Sequence, residues 1–153
     1  MDYAGGYWVR VDPRNFAAHT CEAAAISCVD FRFRVEDQRF LEKHFGTPDF
    51  DLFRWPGPAR SMILDPRFKD RLVEQIRNVC VNLHQVKWFV VLGHWDCGAY
   101  GGSAKFSSPK EEEAAYVRDL AMVRLLLQGA LPGVAIEVFY SKLADGKLYY
   151  FSC

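Results

Sequence analysis

The sequence predicts an α/β fold: a mostly parallel central sheet flanked by helices, with an antiparallel C-terminal edge hairpin. Three observations carry this. Short apolar runs alternate with longer segments of helical period. The central runs are apolar on both faces, as strands covered by helices on both sides must be. The last two runs flank Asp145-Gly146, a residue pair suited to a tight hairpin turn.

Taken in order, residues 1–20 carry Gly5, Gly6 and Pro13 with little periodicity and are expected as a loose N-terminal arm or a single helical turn. Residues 21–153 are expected as one α/β domain. Ala23 to Phe33 is apolar and rich in β-branched and aromatic residues, which predicts a buried strand. Val35 to Phe45 has helical character and stops at Gly46, a C-terminal signal. Phe50 to Trp55 is a short strand broken by Pro56-Gly57-Pro58. Asp65 is a good N-cap and Pro66 suits the first helical position, so a helix is expected from Asp65 to about Gln85. Phe68, Leu72, Ile76, Val79 and Leu83 give it one apolar face.

Trp88 to Leu92 is a fully apolar strand ending at Gly93. A second long helix is expected over Pro109 to Gln128. Its stretch from Leu120 to Leu127 is apolar nearly all round and is expected to be buried, against another subunit if not against its own chain. Val134 to Tyr140 and Lys147 to Phe151 complete the hairpin.

Composition narrows the function. The chain has 153 residues, and Lys plus Arg number 19, as do Asp plus Glu. This balance gives no argument for a nucleic-acid or anionic-membrane partner. The 15% aromatic content is high enough to suggest an apolar interface as well as a core. Five cysteines, at 21, 28, 80, 97 and 153, do not form a secreted disulfide pattern. Reduced thiols in a cytoplasm, in a metal or catalytic role, are the expectation. No apolar run is long enough to suggest a membrane span.

The chemistry sits in two motifs, Cys28-Val29-Asp30-Phe31-Arg32 and His94-Trp95-Asp96-Cys97-Gly98. Cys28, His94 and Cys97 offer the two thiolates and one imidazole of a zinc site that keeps a fourth position for water. On a strand, Cys28, Asp30 and Arg32 would share one face while Val29, Phe31 and Phe33 turn to the other. Arg32 can then hold the Asp30 carboxylate bidentately, keeping it ionised. Gly93 and Gly98 allow the turn that brings His94 and Cys97 to one ion. Two thiolates cancel the charge of Zn²⁺, so a bound water should ionise above the value of about 7 typical of a three-His site.

Other readings stand beside this one. A structural zinc could be closed by Cys21 or Asp30. Cys21, Cys80 and Cys153 are otherwise expected as small structural hydrophobes. His19, His44 and His84 have no partner motif and are expected to be exposed. The glycines of 93–102 match neither GxGxxG nor a GK[ST] phosphate loop.

The arrangement CxDxR, a long gap, then GHxxCG resembles the β-class carbonic anhydrases. Supporting likenesses run from about residue 21 to 151. Asp51-Leu52-Phe53-Arg54 is similar to a strand that in this family ends in Arg-Asn-Ala-Gly. Lys87 to Ala99 resembles the family's strand-plus-ligand segment, and Val134 to Leu148 its closing hairpin. The resemblance implies Zn²⁺ on Cys28, His94 and Cys97, Asp30 and Arg32 as the dyad beside the fourth ligand, and the Gly98 backbone near substrate. It implies reversible hydration of CO₂ to bicarbonate by a zinc-bound hydroxide, in a homodimer or higher oligomer with sites at the dimer interface. In some members the Asp itself closes the zinc site, and either state is open here.

Three departures bear on this. Phe31 replaces a usually small residue, Trp55 to Ala59 replaces Asn-Ala-Gly, and little chain precedes the domain to embrace a partner. Two alternatives follow: hydrolysis of a CO₂-like substrate such as CS₂ or COS on the same scaffold, or a catalytically inactive zinc-binding homologue.

Overall fold

A computed structural model describes residue 10, residue 16 and residues 18–153. The arm expected at 1–20 therefore lies almost wholly outside the described residues.

Among the described residues, five strands form one sheet: β1 (Ala23–Ser27), β2 (Phe50–Arg54), β3 (Trp88–His94), β4 (Ala135–Ala144) and β5 (Lys147–Ser152). Their spatial order is β2-β1-β3-β4-β5. The first three pairings are parallel and β4–β5 is antiparallel, as the apolar runs and the Asp145-Gly146 turn predict. Asp145 and Gly146 both take positive φ, 49° and 69°, the backbone that a two-residue hairpin with matching twist requires.

Alternation along the strands divides the core. Ala24, Ile26, Phe89 and Val91 face one way, and Ala25, Val90 and Leu92 the other. The first face is covered by three helices: α2 (Pro58–Leu64), α3 (Pro66–Gln75) and α4 (Pro109–Ala130). The second is covered by Leu41 and Phe40 of α1 (Arg34–Phe45). Much of the aromatic excess lies under α1, where Phe40 stacks on Tyr150 with ring centroids 4.0 Å apart and Phe45, Phe50, Trp88 and Phe139 pack around them.

Three expectations are corrected. The first strand stops at Ser27, not Phe33. Asp30 instead caps a 3₁₀ turn over Phe31–Phe33, its side chain accepting from the Arg32 N–H, because a short acidic side chain satisfies a free amide better than another strand residue would. The Pro56-Gly57-Pro58 break opens a helix, α2, with Pro58 in its first turn. The helix expected to Gln85 is α-helical only to Gln75 and continues as a π-turn over Ile76–Val81. The extra residue per turn rotates the apolar face. Cys80 is thereby buried completely, whereas Leu83 is 50% exposed. Within the single chain, α4 buries Leu120, Val123 and Leu127 of its apolar end, and Met122, Leu125 and Leu126 are exposed. No helix among the described residues is long and apolar enough to cross a membrane.

Candidate metal centre

Parallel pairing places the carboxyl ends of β1 and β3 side by side, and the residues of the two motifs meet just beyond them. Cys28 follows the last residue of β1, His94 ends β3, and Cys97 sits in the turn after it. All three are buried, with 4%, 3% and 1% exposure. Their ligand atoms lie within 4.8 Å of one another, and the two sulfurs are 3.9 Å apart. Two thiolates on one tetrahedral zinc stand about 3.8 Å apart at Zn–S bonds of about 2.3 Å.

The imidazole supplies a further test. His94 Nδ1 lies 2.7 Å from the Trp95 carbonyl oxygen, which only accepts, so Nδ1 carries the proton. Nε2 then presents a lone pair, yet it is buried without a hydrogen-bond partner among the described residues. Leaving such an atom unpaired costs about 1–3 kcal/mol; a cation there would satisfy it. Phe33 packs on the ring at 4.0 Å and fixes its plane. The donor set, its spacing and the orphaned nitrogen all fit a zinc ion.

Electrostatics point the same way. Cys28 is held well below the ordinary thiol range, first by the hydrogen bond from the Cys97 thiol and also by the Gly57 N–H, against the cost of burial. Cys97 is pushed up by the same hydrogen bond and by burial. Two thiolates this close repel one another, so both ionise together only with a cation beside them.

Asp30 and Arg32 stand beside these ligands, though not by strand alternation. The 3₁₀ turn folds Arg32 back so that Nε and Nη2 contact Asp30 Oδ1 and Oδ2 at 3.0 and 2.6 Å. That fork holds the Asp30 carboxyl below its usual range. Val29 and Phe31 do not turn into the core as a strand would require. They are 50% and 84% exposed and line, with Asp30, Arg32, Pro56 and Ala99, an open cleft of about 590 Å³ over Cys28 and Cys97. Gly98 also lines it.

Four supporting residues escape the sequence reading. Arg32 Nη1 donates to Asp96 Oδ2 at 2.8 Å. The Asp96 N–H donates to Glu112 Oε1 at 2.6 Å, and the Cys97 N–H donates to Tyr116 Oη at 2.9 Å. Gly57 donates its N–H to Cys28 Sγ at 3.4 Å. Glu112 and Tyr116 are four apart on α4, on the buried face that also carries Asp119, Leu120, Val123 and Leu127, and that spacing was the available signal. Asp96, with φ 53°, sits inside the second motif.

Cys21 lies at the opposite end of β1, grouped with Asp51 and His84, so it does not close this centre. His44 and His84 are not exposed as expected. Each is half-buried against a carboxylate, His44 on Glu137 at 2.6 Å and His84 on Asp51 at 2.8 Å.

Comparison with known proteins adds three findings. A family model described as "Putative carbonic anhydrase" matches residues 18–136. An uncharacterized protein of Rickettsia conorii is 30% identical over 146 residues, spanning 90% of this chain and 77% of its own, and another of Rickettsia bellii is 26% identical over 127 residues, spanning 80% and 77%. The crystal structure of the β-carbonic anhydrase CafA of Aspergillus fumigatus superposes with a TM-score of 0.53 at 18% identity, covering 91% of this chain and 79% of that one.

Proposed function

The chain belongs to the carbonic anhydrase family described by that model, and on this premise we propose that it catalyses reversible hydration of CO₂ to bicarbonate with a zinc ion held by Cys28, His94 and Cys97. The observation that carries the reading is the buried, unpartnered Nε2 of His94 beside two sulfurs at zinc-bridging distance. A zinc ion so held supplies Lewis-acid polarisation of a water molecule, lowering its pKa.

The chain's own residues do the rest. Asp30 is kept ionised by Arg32 and accepts a hydrogen bond from water in the cleft, orienting it toward substrate. Arg32 is in turn held by Asp96 at 2.8 Å, so the dyad keeps its position without side-chain rearrangement. Val29, Phe31, Pro56 and Ala99 give the cleft an apolar wall, which suits a small, linear, uncharged molecule. The backbone of Gly98 is assigned to the substrate's side of the cleft, where an added Cβ would meet nothing within 4 Å. A homodimer is part of the proposal. The exposed Phe31 beside the cleft and the exposed Met122, Leu125 and Leu126 of α4 support it, and light scattering of the purified chain tests it. A reducing cytoplasm, which keeps both ligand thiols free, is the proposed setting.

Stopped-flow CO₂ hydration by zinc-loaded protein tests the function. Turnover that rises toward alkaline pH and disappears on chelation is expected. Sulfide release from CS₂ or COS without CO₂ hydration would favour the hydrolase, and a full complement of metal with neither activity would favour an inactive zinc-binding homologue.

A further inference from the structure

At the amino ends of the strands, opposite the cleft, three more metal-ligating side chains converge, and the proposed reaction uses none of them. Cys21 lies just before β1, Asp51 is the second residue of β2, and His84 lies in the turn leading to β3. The backbone positions them. The Cys21 N–H donates to the His84 carbonyl at 2.9 Å, and Asp51 pairs with Ala24 in the β1–β2 register. Their ligand atoms lie within 4.8 Å of one another. His84 Nδ1 is 2.8 and 3.0 Å from the two Asp51 oxygens.

A His–Asp pair alone would account for two of these residues, as a tether between β2 and the turn before β3. Cys21 packs against the edge of the core, but such a tether makes no use of its thiol. Among the described residues that thiol makes a 3.5 Å contact to the Ala23 carbonyl, and burial together with the Asp51 carboxylate pushes its pKa up. A thiol next to a carboxylate is poorly placed for an anion unless a cation joins them. All three residues line a solvent-open cavity of about 220 Å³, which gives an ion a path in. His19 lines it too, its ring 5.0 Å from that of His84.

We propose that Cys21 Sγ, the Asp51 carboxylate and the His84 imidazole bind a second divalent transition-metal ion of the zinc type. One thiolate and one carboxylate balance its charge. A sulfur and a nitrogen donor select zinc-like ions over calcium or magnesium, which take oxygen ligands. Binding displaces the Cys21 thiol proton to solvent. The ion staples the amino ends of β1 and β2 to the lead-in of β3.

The site is independent of the proposed reaction, and metal counting separates the two. Full-length chain is stripped with chelator, reloaded with Zn²⁺, dialysed and analysed for metal. Wild type should hold two ions per chain, Cys21→Ser and His84→Ala one each, and Cys97→Ser one. Zn²⁺ should raise the thermal midpoint of Cys97→Ser but not of Cys97→Ser/His84→Ala. One ion that Cys97→Ser abolishes, or two that neither Cys21→Ser nor His84→Ala reduces, overturns the second site. One ion that survives Cys97→Ser but is lost in Cys21→Ser supports it and rejects the first centre. Should Cys21→Ser not fold, His84→Gln gives the same count.

Discussion

Gly57→Ala should damage the metal centre from a position that is not a ligand. Gly57 has φ +47°, where an L-residue costs about 1–2 kcal/mol. A Cβ added there would stand 2.3 Å from Ala99 Cβ and 3.5 Å from Cys97 Sγ. Carbon atoms pack at about 3.5–4.0 Å, so one backbone must move by more than an ångström. Overpacking of this kind costs about 1–3 kcal/mol, which brings the expected loss to about 2–5 kcal/mol. Ala99 is two residues past Cys97, so the displacement reaches a ligand sulfur, and zinc affinity should fall with stability. Urea unfolding and zinc titration measure both. Gly98→Ala is the control: its Cβ meets nothing within 4 Å, and stability should change by less than about 0.5 kcal/mol. The double variant Gly57→Ala/Ala99→Gly should recover the steric part only. A Gly57→Ala protein within about 0.5 kcal/mol of wild type, with unchanged zinc affinity, would show that the Gly57–Ala99 contact does not constrain the centre.

Asp30→Asn should keep zinc and lower CO₂ turnover about 10²-fold or more, read by stopped flow; unchanged turnover would remove Asp30 from the mechanism. Arg32→Lys should act in the same direction, because an ammonium cannot bridge Asp30 and Asp96 as the guanidinium fork does. Tyr116→Phe leaves the buried Cys97 N–H without its acceptor. It should cost about 1–3 kcal/mol in chemical denaturation and weaken zinc binding about 10–100-fold. Asp37, 2% exposed, is pushed up to about 6 by burial against the hydrogen bond from Tyr150, from about 3.9 in the unfolded chain. The folded state binds the extra proton between those values. Its contribution is full below about pH 4 and is lost as pH rises through 6, a change of about 3 kcal/mol. Asp37→Asn should flatten that slope and stabilise the protein at pH 8; an unaltered pH profile of unfolding would contradict this.

The parallel core was legible because Ala23–Ser27 and Trp88–Leu92 are apolar on both faces, and the hairpin because Asp145-Gly146 fits only a tight turn. Where local chemistry competed with pattern, the pattern misled. Apolar residues continue past Ser27, yet the Asp30 carboxylate captures the Arg32 amide and ends the strand. Pro56-Gly57-Pro58 reads equally as a break and as a helix start. The π-turn at Ile76–Val81 leaves no periodic mark, since it changes the period itself. Within the site, ligand types and spacings were visible in the two motifs. Asp96, Glu112 and Tyr116 were not, because their parts depend on α4 packing across β4 and on a left-handed turn at Asp96. The Cys21–Asp51–His84 cluster was hidden for a related reason: its members come from three separate segments that only the sheet brings together.

The proposed centre places one zinc ion among Cys28, His94 and Cys97. Zinc-edge X-ray absorption of the Cys21→Ser chain, loaded with one equivalent, tests it most directly. Two sulfur neighbours at about 2.3 Å with nitrogen or oxygen at about 2.0–2.1 Å are predicted; a shell with one sulfur or none would contradict it.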